Sequence, residues 1–143
     1  MRTHSLWYWV TSLVLMLASS SYAQSIREKS KYGEALYHLD GQTLKRKNQY
    51  GTVLFFFDGE VIRRKSKYGE PLYCMDGMVT RSKNRYGEPL FYFDGFTIRS
   101  ENKYGDALYF LDGQVLRRKN QYGEAVYYFD FVPDRWVLAC LIL

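Results

Sequence analysis

The chain has 143 residues, 47% hydrophobic and 18% aromatic, with 20 Lys and Arg against 15 Asp and Glu. With 11 Gly, 3 Pro and 2 Cys, it is neither collagen, nor a disordered low-complexity chain, nor a disulfide-stapled miniprotein. One domain of this length buries roughly two-thirds of its unfolded surface, so a hydrophobic core can hold it without metals or crosslinks.

Residues 1–23 read as a cleaved secretory signal. Arg2 and His4 give a weakly basic start, Leu6 to Ala18 is apolar, and Ser21-Tyr22-Ala23 offers small residues where a signal peptidase reads. The apolar run, roughly 13 residues, falls short of the ~20 that span a bilayer. Cleavage before Gln24 leaves 19 basic and 15 acidic side chains. The mature protein, residues 24–143, is therefore expected to be mildly basic, secreted or periplasmic, without a transmembrane segment.

Self-comparison then governs the reading. Tyr-Gly recurs at Tyr32, Tyr50, Tyr68, Tyr86, Tyr104 and Tyr122, 18 residues apart each time, and Asp-Gly follows at Asp40, Asp58, Asp76, Asp94 and Asp112. Complete repeats fill 32–121. Each carries two short runs of strand character, as in Leu90 to Phe93 and Phe96 to Arg99, joined at Asp94-Gly95. Asp-Gly tolerates the positive φ values of a type I′ hairpin turn. In the other connection, such as Lys83 to Gly87, Asn or Ser can bond the local backbone and Gly can turn left-handed. No window sustains a helical period, which almost excludes helix. Alternation puts Phe91, Phe93 and Ile98 on one apolar face, and Leu90, Tyr92, Thr97 and Arg99 on the other.

The ends carry half-repeats. Gln24 to Lys31 matches a second half and Tyr122 to Asp130 a first half, so the two could pair and close a ring, or add a sixth hairpin. An open solenoid is the rival. The predicted fold is all-β, a closed radial array of short antiparallel β-hairpins. The tail from Trp136 to Leu143 is apolar throughout and reads as a buried closing strand or a plug against the apolar face.

Taken together, the Tyr86 to Gly95 stretch, its copies, the signal and the apolar end resemble the bacterial beta-flower repeat proteins, most closely their five-fold Bacteroidetes-type members. That resemblance implies a radial hairpin array in a secreted or periplasmic protein, and supplies no activity. Leu108 to Gly113 is more weakly similar to choline- and glucan-binding repeats, which rely on a Trp that these repeats lack.

Several columns of equivalent residues could carry chemistry. Arg27, Lys45, Arg63, Arg81, Arg99 and Arg117 form a basic column, and Lys29, Lys47, Lys65, Lys83 and Lys119 a second, interrupted by Glu101. In a ring these become circles of positive charge able to attract an anionic polymer. Reversing charges in the first column is expected to leave stability nearly unchanged. Tyr37, Phe55, Tyr73, Phe91, Tyr109 and Tyr127 form an aromatic column read chiefly as core. The Asp column is explained by turns, and no metal or other cofactor is expected. Cys74 and Cys140 could be bridged or remain two buried thiols. Equivalent residues repeated around a ring supply no distinct acid, base and nucleophile in one place. The sequence thus points to an exported non-enzymatic β-repeat module, a binding or structural element facing an envelope polymer or protein, with no nucleic acid expected. The alternative is a glycan-binding module using the repeated Tyr and Phe.

Overall fold

Alternating apolar and polar residues interrupted every few positions by Gly can make only short strands, and that is what forms. A computed structural model describes residues 24–143; the expected signal sequence and its expected cleavage after Ala23 lie outside the described residues. The strands are β1 (Ser25–Glu28), β2 (Ala35–Asp40), β3 (Thr43–Arg46), β4 (Val53–Phe57), β5 (Val61–Arg64), β6 (Pro71–Asp76), β7 (Val79–Ser82), β8 (Pro89–Phe93), β9 (Thr97–Ser100), β10 (Ala107–Asp112), β11 (Val115–Arg118) and β12 (Ala125–Phe129). One helix follows, α1 (Arg135–Ile142).

Every strand pairs antiparallel with its neighbours in sequence, and β1 pairs with β12 to close a barrel. Five hairpins come from the complete repeats. The sixth is shared between the ends, with Ile26 opposite Phe129 and Arg27 opposite Tyr128. Closure leaves no sheet edge, which rules out the open solenoid. In every repeat the register slips on the Tyr-Gly side, as between Leu44 and Lys45, where Leu44 faces Phe55 but Lys45 faces Val53. Such a bulge bends a strand and raises its local twist, so six of them supply the curvature of a tight ring.

Both turns differ from the sequence expectation. Asp40 pairs directly with Thr43, so the loop is Gly41-Gln42 rather than Asp-Gly. Positive φ falls on Gly41 alone, at 60°, the pattern of a type II′ turn rather than type I′. The partner strand therefore sits two residues away from the expected register, a shift that preserves the inner and outer faces where a shift of one would have exchanged them. In the longer turn the left-handed residue is not the Gly but Lys29, Lys47, Lys65, Lys83, Glu101 or Lys119, with φ between 62° and 69°. Around Lys83 the Asn84 N–H donates to the Ser82 carbonyl at 2.7 Å, a strained γ-turn. Glycine is needed nearby for a different reason. A Cβ on Gly87 would lie 1.7 Å from the Ser82 carbonyl oxygen.

Twelve strands about 4.8 Å apart enclose a ring roughly 18 Å across, wider than inward side chains alone can fill. Ile26, Leu44, Ile62, Thr80, Ile98 and Leu116 point inward and are buried. The remaining lumen takes α1, which runs against the expectation that helix is excluded. A helix with its side chains is about 10 Å thick, and this one is apolar around its circumference, as a fully buried helix must be. Trp136 through Cys140 are buried. Near the Gly-turn end, Trp136 stacks on Phe57 at 5.1 Å, and the Arg135 guanidinium donates to the Gly77 carbonyl at 2.6 Å and lies 5.9 Å from the Phe93 ring. At the other end Leu141 and Leu143 line one cleft with Arg46 and Arg64. Thus α1 runs through the barrel from one rim to the other. Around Trp136 the inward ring alternates Leu39, Phe57, Met75, Phe93, Leu111 and Phe129, a small-and-large pattern suited to seating an off-centre indole.

Candidate functional site

The Tyr-Gly turn is built from hydrogen bonds repeated around the ring. In all six copies the side-chain oxygen of the Asn or Ser two residues earlier accepts the Tyr N–H, at 2.8 to 3.3 Å, as the residue types suggest. The Gly amide then donates to the carbonyl of the same Asn or Ser at 2.9 Å. These bonds fix the turn and leave the Tyr ring at its tip. Tyr32, Tyr50, Tyr68, Tyr86, Tyr104 and Tyr122 are 84 to 90% exposed. Sequence reasoning used these residues only as repeat markers. The available signal was that an invariant aromatic in a turn has no core to enter.

The residue before each Tyr adds charge in alternate repeats. Lys31, Lys67 and Lys103 each hold an ammonium 5.1 Å from the following Tyr ring, within cation–π range. Gln49 and Gln121 occupy two intervening positions, and Arg85 at the third turns aside to Glu60 at 3.1 Å. The rim is therefore six tyrosines with a three-fold pattern of lysines.

The first basic column stands on the outer wall and is occupied with the fold. Arg27, Arg63, Arg81, Arg99 and Arg117 donate through Nη1 to the carbonyls of Gly33, Gly69, Gly87, Gly105 and Gly123 at 3.2 to 3.3 Å. Lys45 reaches the Gln49 carbonyl at 3.1 Å. Toward the opposite rim, Arg81 meets Asp76 and Lys45 meets Asp40, both at 2.9 Å, Arg63 meets Asp58 at 3.2 Å, and Arg117 meets Asp112 at 3.5 Å. Arg27 meets Asp130 at 3.5 Å across the closing strands, so the shared sixth hairpin reproduces the pairing of four of the others. Five of the six basic side chains link two turns, Arg99 making only its Gly105 bond, and charge reversal at a linked position will not be neutral: Arg81→Glu should lower stability by about 1–3 kcal/mol, the range for charge-assisted hydrogen bonds, measured by urea unfolding. A loss under about 0.5 kcal/mol, ordinary for a surface site, would mean the links contribute nothing.

A family model describing the 6-fold beta flower protein matches residues 26–131, from the first strand to just past the last. The chain belongs to the 6-fold beta flower family. The beta-flower resemblance holds, and its five-fold form is corrected to six-fold by the sixth hairpin, whose halves lie at opposite ends of the repeat array. No curated protein and no solved structure matches the chain.

Between adjacent hairpins of this beta flower, on the side of the tyrosine rim, lie repeat-related clefts. One of about 330 Å³ has Leu36, Val126, Lys29 and Glu124 in its walls, and a second of about 300 Å³ has Leu36, Leu54, Lys47 and Glu34. The second basic column, on its left-handed turn residues, thus supplies one cation per cleft opposite an acid. The aromatic column from Tyr37 to Tyr127 packs against the core, with the Tyr37 and Tyr127 rings edge to face at 6.4 Å, and burial pushes the Tyr127 hydroxyl above its ordinary range.

The acids and thiols also have structural roles. The Thr97 and Phe96 amides donate to Asp94 at 2.8 and 2.9 Å and hold its carboxyl below the usual range. The Lys45 hydrogen bond does the same for Asp40. Cys74 and Cys140 are free thiols, both buried. They lie on opposite faces of the sheet, Cys74 outward beside Arg81 and Val61 and Cys140 on α1 in the lumen, so no bridge joins them. Burial pushes both thiols up, away from nucleophilic thiolate character. His38 is also outward, opposite Lys45.

Proposed function

We propose that the protein is an exported non-enzymatic binding module whose tyrosine rim engages a repeating glycan of the bacterial envelope. The observation that carries this reading is the ring of six tyrosines, 84 to 90% exposed, each held by the same side-chain-to-backbone hydrogen bond. An aromatic face bears negative quadrupole charge and attracts the weakly positive C–H groups of a sugar face. Six such contacts on a closed ring make binding multivalent, so a repeating polymer gains avidity by factors of about 10²–10⁴ over a single unit. The engagement of the Arg column in turn-to-turn links favours this rim over the outer wall as the binding surface. The non-enzymatic character is supported by the distribution of equivalent side chains around the ring, where no single place collects an acid, a base and a nucleophile.

A glycan array probed with the purified protein tests the reading. Exchange of Tyr50, Tyr68 and Tyr86 together for Ala should remove polymer binding while stability shifts by less than about 0.5 kcal/mol per site, as expected for exposed positions. Retention of binding by that triple variant, together with its loss on Arg81→Glu at temperatures where Arg81→Glu remains folded, would move the site to the outer wall.

A further inference from the structure

At the Tyr-Gly end the lumen is not filled completely. A cleft of about 480 Å³ opens beside the last turn of α1, lined by Tyr37, Phe55 and Leu141 of the lumen, by Leu54 at its outer lip, and by Arg46, Arg64 and Lys65. This is the size of a small-molecule site and has its usual composition, an apolar floor with a few convergent polar groups. The adjoining cleft of about 300 Å³ between hairpins shares Tyr37, Leu54 and Arg46 with it, so these residues border both.

The charge at this mouth departs from the six-fold pattern. The equivalent inward positions, read around the ring, are Glu28, Arg46, Arg64, Ser82, Ser100 and Arg118. Two arginines stand side by side only at the cleft. Among the described residues Arg46 has no carboxylate partner within ion-pair distance, and Arg64 meets only Glu70, at 3.8 Å. Glu34 lies in the adjoining cleft, the last carbonyls of α1 contribute partial negative charge, and Leu143 with its backbone carboxylate borders the cleft without an ion pair to Arg46 or Arg64. Two neighbouring guanidiniums above an apolar floor favour a ligand with one anionic head and one hydrocarbon tail, because Arg pairs with carboxylate in a bidentate fork.

We propose that this mouth binds one molecule of a long-chain carboxylate, with the head between Arg46 and Arg64 and the chain along Tyr37, Phe55 and Leu141. The site is separate from the tyrosine rim and does not depend on it. Cys140, which also borders the cleft, stays a neutral thiol because burial opposes its ionisation, so it adds no repulsion to the head.

The test is titration calorimetry of the purified full-length chain with dodecanoate below its critical micelle concentration, with dodecanol as the uncharged control. Dodecanoate is expected to bind with a one-to-one stoichiometry, and dodecanol at least about tenfold more weakly. Arg46→Gln and Arg64→Gln should each weaken dodecanoate about tenfold or more with the melting temperature unchanged, and Thr52→Trp, at an exposed position in the cleft wall, should block it. The variant with alanine at Tyr50, Tyr68 and Tyr86 should bind dodecanoate normally. Equal binding of dodecanol would show apolar adsorption only. Absence of dodecanoate binding, or a lower melting temperature in both arginine variants without effect on affinity, would assign the arginines to the helix end. Each of these overturns the proposal.

Discussion

Leu138→Ala lowers the unfolding free energy by about 2–5 kcal/mol, and the Trp136→Ala, Leu138→Ala double variant loses its fixed tertiary structure. Both side chains are buried in the lumen, Leu138 at 1% exposure and Trp136 at 5%. Truncation of a buried Leu costs about 2–5 kcal/mol and of a Trp about 3–5 kcal/mol, with the higher values where the surroundings cannot collapse. A closed barrel collapses poorly, because its diameter is set by strand number and hydrogen-bond register rather than by its filling. A domain has about 5–15 kcal/mol in all, so the double loss approaches the whole. Urea unfolding followed by near-ultraviolet circular dichroism measures the single variant, and dye binding to exposed apolar surface reports the double one. A cost below about 1 kcal/mol for Leu138→Ala would place that side chain outside a packed lumen.

Gly87→Ala will cost more than Gly95→Ala, although Gly95 is the residue with unusual backbone geometry. Gly95 has φ of 108°, and a Cβ there would meet nothing within 4 Å, so alanine pays chiefly for its backbone conformation, about 1–2 kcal/mol. At Gly87 the added carbon would sit 1.7 Å from the Ser82 carbonyl oxygen and 3.0 Å from that of Asn84. Both neighbours are backbone in the strained γ-turn, and the Gly87 carbonyl is also the acceptor for Arg81 at 3.2 Å. Relief requires opening the turn, so a loss of at least about 3 kcal/mol is expected, at or above the usual ceiling for overpacking. Denaturation midpoints of the two variants decide the order. The reverse order would mean that backbone conformation, not close approach, selects glycine in Tyr-Gly.

Much of this architecture was legible because the 18-residue period fixes many positions at once. The inner and outer faces followed from alternation and survived a two-residue error in register, since side chains repeat every two residues along a strand. The turn chemistry was less accessible. Asp40 looks like the first loop residue but pairs with Thr43, and local composition does not distinguish Asp-Gly from Gly-x as the loop. Nor did residue type reveal that Lys83, rather than Gly87, takes the left-handed conformation, because Lys has no preference for it. The sixth hairpin was readable as two matching half-repeats, and only pairing of β1 with β12 turns them into a unit. The tail was read correctly as apolar and plug-like but not as helix. A run of eight residues without polar positions carries no period to separate helix from strand.

The candidate rim was hidden by the same regularity. Six identical tyrosines served as the ruler of the repeat, whereas their exposure depends on a turn whose tip points away from the barrel. The basic column was visible, and its partners were not. Pairing Arg81 with Asp76 and with the Gly87 carbonyl requires both rims to be set at once, which only the folded hairpin does.

Ring closure underlies the placement of the rim, the helix and the lumen mouth alike, and amide hydrogen exchange on β1 tests it most directly. In the closed ring the Lys29 amide donates to Val126 at 3.1 Å, and the Asp130 amide donates to Ser25 at 3.0 Å. Protection across Ser25–Glu28 and Ala125–Phe129 should therefore match that of interior strands such as Val79–Ser82, since all open only with the barrel. Exchange in β1 and β12 as fast as in the Tyr-Gly turns, with the interior strands still protected, would show frayed ends and an open array, and would contradict the six-fold ring.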